Sequence, residues 1–232
     1  MAGVQVVTGF IPLDDHPRPP QEYFKLAGEL FNPLYESGQL KIPAAVVVQD
    51  LDMCWLYQWM KWKGPDFQCT HSTADNPQKN TAAYHIVQHE KIGWLVDAAV
   101  RDPTPDVFVW IDFGIMHVPG VTGAVIADYI RRAEKEQAIA IPGCWDRPAV
   151  IDDMNPCWRF CGGTLICPRK YLMELDLAMK GEAMRHISAT RNLSWEVNTL
   201  ARVERNCDLP IWWYKADHNE TMFTAYPEST HA

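Results

Sequence analysis

Short apolar runs rich in β-branched residues alternate along the chain with stretches whose apolar residues recur at helical spacing. The short runs predict strands at residues 4–11, 44–48, 107–111, 138–141, 163–167 and 211–214. The longer stretches predict helices at residues 22–34, from 52 onward, and at 80–100, 122–137, 171–179 and 194–204. The run at 44–48 is continuous, as expected of a strand buried on both faces. This alternation indicates an α/β fold with a central, mainly parallel sheet flanked by helices.

The 232 residues are enough to bury a core without disulfides or a structural metal. Nowhere does a Gly/Ser-rich or charged linker divide the chain, so we predict one domain over residues 1–232. The net charge is −8, with 29 acidic against 21 basic residues, which weighs against a nucleic-acid partner but leaves a local basic groove open. No apolar run reaches the ~20 residues of a membrane span.

Seven cysteines, an odd number scattered through the chain, indicate reduced thiols rather than a disulfide framework. The first residues lack the basic segment and the cleavage site of a secretory signal. We therefore expect a cytoplasmic protein.

Asp112 carries the strongest local signal, because it follows four large apolar residues and precedes Phe113-Gly114. In α/β sheets, ligands gather at the carboxyl ends of strands. A carboxylate there suits Mg²⁺ or Mn²⁺ carrying a diphosphate. The alternative is that Asp112 caps the next turn.

Other patterns are weaker. Asp50 and Asp52 form an Asp-x-Asp after the second strand, but Asp52 would equally serve as a helix N-cap. Trp55, Trp59 and Trp62 share one helix face, which is more typical of packing than of a stacking platform.

Three further segments could contact a ligand. Gly162 and Gly163 allow backbone N–H groups to approach a substrate closely. Glu196 begins a helix, where the dipole alone favours a carboxylate. Asp217 and His218 follow the last strand and would suit either a metal cluster or an ordinary polar loop. The chain contains no P-loop, G-x-G-x-x-G or G-x-S-x-G sequence.

Taken in order, several segments resemble the HtrL/YibB-like proteins, a group similar to GT-A-fold glycosyltransferases that includes viral enzymes. These segments are VVTGF at 6–10, KIGWL at 91–95, FVWIDFGI at 108–115 and the Gly-Gly strand at 162–165. The resemblance covers most of the chain. It departs from the family pattern where a late acidic pair is reduced to Glu196 alone and the Asp-x-Asp is reduced to Asp112.

The resemblance implies a GT-A-like, Rossmann-like domain that transfers a sugar from a nucleotide-sugar donor to an acceptor. A UDP-sugar is the favoured donor, and a glycan, a protein or a modified DNA base would serve as acceptor. It also implies Mn²⁺ or Mg²⁺ as cofactor and, for a viral protein, a location in the host cytoplasm. Two alternatives stay open: an inert nucleotide- or carbohydrate-binding domain, and a nucleotide-sugar hydrolase.

The resemblance also implies roles for individual residues. Glu196 is the expected catalytic base, and the expected metal ligands are Asp112, Asp217 and His218. Residues expected to bind the donor are Thr8, Gly9, Arg18, Asp50, Lys91, Gly162 and Gly163. Trp158, next to the glycine pair, and Trp195 are expected to line the acceptor site.

Overall fold

The protein is described by a computed structural model that covers residues 3–13, 19–64 and 77–227. Its strands are β1 (Gly3–Phe10), β2 (Ala45–Val48), β3 (Pro105–Ile111), β4 (Ile139–Gly143), β5 (Thr164–Pro168) and β6 (Ile211–Lys215). Its helices are α1 (Pro20–Glu36), α2 (Trp55–Lys63), α3 (Ala82–His89), α4 (Lys91–Arg101), α5 (Gly123–Ala133), α6 (Arg169–Thr190), α7 (Glu196–Asn206) and α8 (Thr221–Thr224). Short 3₁₀ turns lie at Leu51–Met53, Pro77–Asn80 and Ile115–His117.

The described strands form one six-stranded sheet in the order β2-β1-β3-β5-β4-β6. β1 pairs in parallel with β2 and β3, and β4 pairs in parallel with β6. β5 runs antiparallel to both of its neighbours, β3 and β4. Because apolar clusters cover both faces of the sheet, the structure confirms the predicted mixed α/β fold with a mainly parallel sheet.

The expectation that residues 44–48 form a strand buried on both faces is wrong. The strand exists as β2, but Val46 is 46% exposed and Val48 is 51% exposed. β2 is the edge strand beside β1, and little packs over its outer face. A continuous apolar run identifies a strand without showing whether both of its faces are covered.

The predicted helix at 80–100 consists of two helices that meet at Glu90. Thr81 caps the first helix by accepting a hydrogen bond from the backbone N–H of Tyr84. Glu90 then separates α3 from α4, and its side chain is buried, accepting a hydrogen bond from the backbone N–H of Trp55 at 2.7 Å. This junction places Lys91 at the first position of α4.

Close packing holds α4 against the sheet. Trp94 of α4 stacks on Trp110 of β3, with ring centroids 5.5 Å apart. Gly9 of β1 makes room for the same indole, because a Cβ at this position would overlap the ring of Trp94. The first turn of α4 therefore lies beside the carboxyl end of β3.

Two expectations for the segment after β2 need correction. Asp52 is not a helix N-cap, because it lies in the 3₁₀ turn and α2 begins only at Trp55, after Cys54. Trp55 and Trp59 pack against the core as expected, but Trp62 is 76% exposed and does not.

Replacing Glu90 with Gln should stabilise the protein more at pH 8 than at pH 5. Burial raises the pKa of Glu90 to about 7, outweighing the hydrogen bond from Trp55 and the positive charge of Lys180. The folded state therefore holds this proton more tightly than the unfolded chain, and wild-type stability is lost as pH rises from about 4.5 through 7. Because the introduced glutamine does not ionise, the free energy of unfolding of the variant should rise relative to that of the wild type by up to about 3 kcal/mol between pH 5 and pH 8.

Urea unfolding at the two pH values measures this difference, with the exposed Glu36→Gln as the matched control. A Glu90→Gln variant whose stability follows that of the wild type at both pH values would show that Glu90 carries no such penalty.

Candidate functional site

Asp112 lies directly after β3, with its carboxylate fixed by its neighbours. Its backbone N–H donates to the carbonyl of Gly163 at 2.9 Å, and the indole N–H of Trp110 donates to its Oδ1 at 2.7 Å. The next turn is closed by the backbone carbonyl of Asp112, which accepts from Ile115 N–H at 3.0 Å. The side chain is 37% exposed. Trp110 thus holds the Asp112 side chain at the carboxyl end of β3, and this side chain does not cap the turn.

Lys91 connects three parts of the chain at this point. Its Nζ donates to the carbonyl oxygen of Gly162 at 2.8 Å and to Oε1 of Glu196 at 3.0 Å. It also lies 3.2 Å from Oδ1 of Asp112. The Lys91 side chain is only 6% exposed. A lysine ammonium has three protons, and these three oxygen atoms match them one for one.

Glu196 reaches Lys91 from the first position of α7, where the positive end of the helix dipole favours a carboxylate. Its side chain is 7% exposed. Gly162 allows the approach, because a Cβ there would overlap Oε1 of Glu196 and lie 3.1 Å from Nζ of Lys91. Glycine is needed at this position for the space that its missing side chain leaves.

The charges of this network do not balance. Burial by itself would lower the pKa of Lys91, but the charges of Asp112 and Glu196 outweigh it and hold that pKa above its usual value. Lys91 is therefore an ammonium ion at neutral pH, facing two carboxyl groups. When both are ionised, the network has one excess negative charge, and Asp112 is the member that is open to solvent.

A second cluster lies at the carboxyl ends of β4 and β6. Cys144 follows β4, and its Sγ lies 3.6 Å from Sγ of Cys161 and 3.4 Å from Nδ1 of His218. Asp217 precedes His218, and its Oδ1 lies 3.7 Å from Sγ of Cys144. The Trp158 ring packs edge-on against the imidazole of His218, with centroids 4.3 Å apart.

Both clusters lie at the same end of the sheet, where β3, β4 and β6 have their carboxyl ends. Cys161 of the second is followed directly by Gly162 of the first. Burial lowers the pKa of His218, while the charges of Asp217 and Glu196 oppose that shift and the charge of Lys79 adds to it. The two clusters are therefore close enough for Glu196 to influence His218 electrostatically.

Four other expected site residues, all of them described by the structure, do not join either cluster. Thr8 is fully buried in β1, and Gly9 packs against Trp94. Asp50 follows β2, the edge strand that β1 separates from β3, and is exposed. Trp195 is 5% exposed and lies edge-on to His85, with centroids 4.8 Å apart. Arg18 lies outside the described residues.

Two members of the site, Trp110 and Cys144, are not among the residues predicted from the sequence. The sequence pattern predicts only a strand at Trp110, although its position two residues before Asp112 puts both side chains on the same face of the chain. Cys144 directly follows β4. It could therefore have been predicted in the same way as Asp112, because ligands gather at the carboxyl ends of strands.

Among the helices within residues 19–64 and 77–227, none has the length and apolar character needed to span a bilayer.

Comparison with solved structures shows similarity to a glycosyltransferase involved in the glycosylation of the major capsid of PBCV-1. The TM-score is 0.50 at 11% sequence identity, and the match covers 93% of this chain and 82% of that one. This likeness supports a GT-A-like fold. No protein-family model matches the chain, so the resemblance to HtrL/YibB-like proteins is not confirmed, and no curated protein matches it.

Replacing Lys91 with Met should destabilise the fold by about 3–5 kcal/mol, because the variant leaves Glu196 buried without its counter-charge. Chemical denaturation measures the loss. Lys25→Met, on the exposed side of α1, is the control and should leave stability unchanged.

The double variant Lys91→Met/Glu196→Gln should recover part of the lost stability, because both buried charges are then absent. A single Lys91→Met variant as stable as Lys25→Met would contradict the central place of this ion pair.

Proposed function

We propose that this protein is a glycosyltransferase that moves a sugar from a nucleotide-sugar donor to a hydroxyl-bearing acceptor. The network of Lys91, Asp112 and Glu196 carries this proposal. It lies at the carboxyl end of β3, where α/β sheets collect their ligands, and it holds one carboxylate in excess of its cation. The GT-A-like fold is consistent with sugar transfer.

Asp112 is the better candidate for the proton acceptor. In the transfer, the bond between the sugar and the nucleoside diphosphate breaks, a bond from the sugar to the acceptor oxygen forms, and the acceptor's proton passes to a carboxylate. The resemblance assigns that role to Glu196, but Glu196 is 7% exposed and bonded to Lys91. Asp112 is reachable, and Trp110 and Lys91 fix its orientation.

The side chains at the carboxyl end of the sheet do not provide the ligands that Mn²⁺ or Mg²⁺ prefers. Both prefer a shell of oxygen ligands. Oδ1 of Asp112 is already engaged by an ammonium group and an indole N–H, so Asp112 offers only Oδ2, which we assign to the acceptor's proton. His218 and Asp217 have the Cys144 thiol as a close neighbour.

The leaving diphosphate still needs positive charge. Lys79 is exposed and lies in the 3₁₀ turn before α3, the helix that leads into Lys91 at the start of α4. We assign it to the diphosphate. Lys91 is less suited, because its three protons point to oxygens of the protein itself.

Trp158 and the glycine pair provide surfaces for the remaining parts of the substrates. The ring of Trp158 is partly exposed beside His218, which suits stacking against a sugar or a base. Trp195 packs in the core, so we assign the acceptor surface to Trp158 alone. A UDP-sugar remains our favoured donor, with a glycan, a protein or a modified DNA base as acceptor.

One observation favours a non-catalytic binding domain as second candidate. Every proton of Lys91 is used within the protein, which is typical of a structural ion-pair network as well as of a preorganised site. Incubation with UDP-, GDP-, dTDP- and CMP-sugars separates the functions: transfer or slow sugar release identifies an enzyme, and binding without turnover identifies the inert domain.

Asp112→Asn should lower turnover of the donor by about 10²–10⁴-fold, because the amide cannot accept the acceptor's proton. Release of the free nucleotide measures turnover. Asp106→Asn, on the exposed face of β3, is the matched control and should retain the wild-type rate. An Asp112→Asn variant as active as the control would contradict our assignment.

Glu196→Gln tests the alternative base directly. If Asp112 is the base, Glu196→Gln should keep measurable turnover with a moderately lowered kcat and an unchanged KM, because Glu196 acts by holding Lys91, which in turn orients Asp112. The opposite pattern, with turnover abolished in Glu196→Gln and retained in Asp112→Asn, would assign the proton transfer to Glu196.

A further inference from the structure

Backbone hydrogen bonds hold the cysteine-histidine cluster in place. The N–H of Cys144 donates to the carbonyl of Trp158 at 2.9 Å, and the N–H of Cys161 donates to Pro142 at 2.7 Å. The N–H of Ala216 donates to the carbonyl of Gly143 at 2.9 Å, which fixes the segment leading into His218. The two thiols and the imidazole are therefore brought together by the backbone of β4 and β6.

Two of the three separations in this cluster match those of a tetrahedral metal site. Zinc lies about 2.3 Å from cysteine sulfur and about 2.0 Å from histidine nitrogen. At tetrahedral angles, these lengths put two sulfurs about 3.8 Å apart and a sulfur and a nitrogen about 3.5 Å apart. The corresponding distances here are 3.6 Å between Cys144 and Cys161 and 3.4 Å between Cys144 and His218. All three ligand atoms lie within 4.8 Å of one another.

The surroundings also suit a bound metal. Cys161 is fully buried, Cys144 is half-buried and His218 is 42% exposed, so the cluster has an open side toward solvent. The edge-on ring of Trp158 limits rotation of the imidazole, whose Nδ1 faces Cys144. Oδ1 of Asp217 lies on the exposed side, 3.9 Å from Nδ1 of His218 and 3.7 Å from Sγ of Cys144.

We propose that Cys144, Cys161 and His218 bind Zn²⁺, with a carboxylate oxygen of Asp217 as the fourth ligand. Two thiolates and an imidazole are the ligands that zinc prefers in four-coordinate sites, whereas Mg²⁺ and Mn²⁺ prefer oxygen. Binding converts the two thiols to thiolates and releases two protons for each zinc ion, so it requires no oxidant. This inference goes beyond the proposed sugar transfer and does not depend on it.

Metal binding by the full-length, reduced and metal-free protein tests the proposal. Zinc titrated in competition with a chromophoric chelator should bind at one ion per chain. Co²⁺ in its place should give the strong near-ultraviolet absorption of cobalt-thiolate bonds. Cys144→Ser and His218→Ala should each weaken zinc binding at least tenfold, and Cys207→Ser, a cysteine outside the cluster, should leave it unchanged.

Circular dichroism establishes that each variant is folded, and His218→Ala is the decisive variant because its side chain is partly exposed. Three results would overturn the proposal: no zinc bound at micromolar concentration, equal affinity in His218→Ala and Cys207→Ser, or a Cys144–Cys161 disulfide in the reduced, zinc-treated protein.

The test also keeps the two proposals apart. Asp112→Asn should retain the zinc ion while losing turnover, because Asp112 is not among the ligands. Zinc binding without turnover in the wild-type protein would refute only the sugar transfer, and turnover without zinc binding would refute only the metal site.

Discussion

A single buried ammonium group determines how the segments around the candidate site fit together. Lys91 contacts oxygens from the loop before β5, from the start of α7 and from the residue after β3. A charge that is this buried is tolerated only when it is paired and hydrogen-bonded. Since Trp94 stacks on Trp110, α4 has little freedom to shift, and the other segments must meet Lys91 where α4 places it.

The strands could be predicted from the sequence because buried strands are continuous apolar runs, and β3 is the clearest of them. The order of the strands in the sheet could not be predicted from the sequence. β2 has the same apolar character but lies at the edge, since position depends on pairing between distant segments. The break between α3 and α4 could not be predicted either. The helical spacing of apolar residues continues through position 90, which is occupied by neither proline nor glycine.

In the candidate site, too, single residues could be predicted from the sequence but their contacts with distant segments could not. Asp112 could be found locally, because it follows a buried strand, and Glu196 because it begins a helix. Their shared partner Lys91 lies 105 residues before Glu196, so the burial of Glu196 has no local signal. The second cluster is also non-local: Cys144 lies 17 residues from Cys161 and 74 from His218. Only the pairing of β4 with β6 and the return of the chain into β5 bring these side chains together.

Charge balance separates the roles of the two clusters. Two thiolates and Zn²⁺ sum to zero, and including the Asp217 carboxylate gives the second cluster a net charge of −1. A zinc ion there would therefore add no positive charge for a leaving diphosphate, which leaves Lys79 in that role. Its effect would be to fix the end of β6 and the loop that carries Trp158, and through Cys161 the adjoining Gly162. The carbonyl of Gly162 accepts from Lys91, so an ordered metal site would hold in place one of the three oxygens on which the charged network depends.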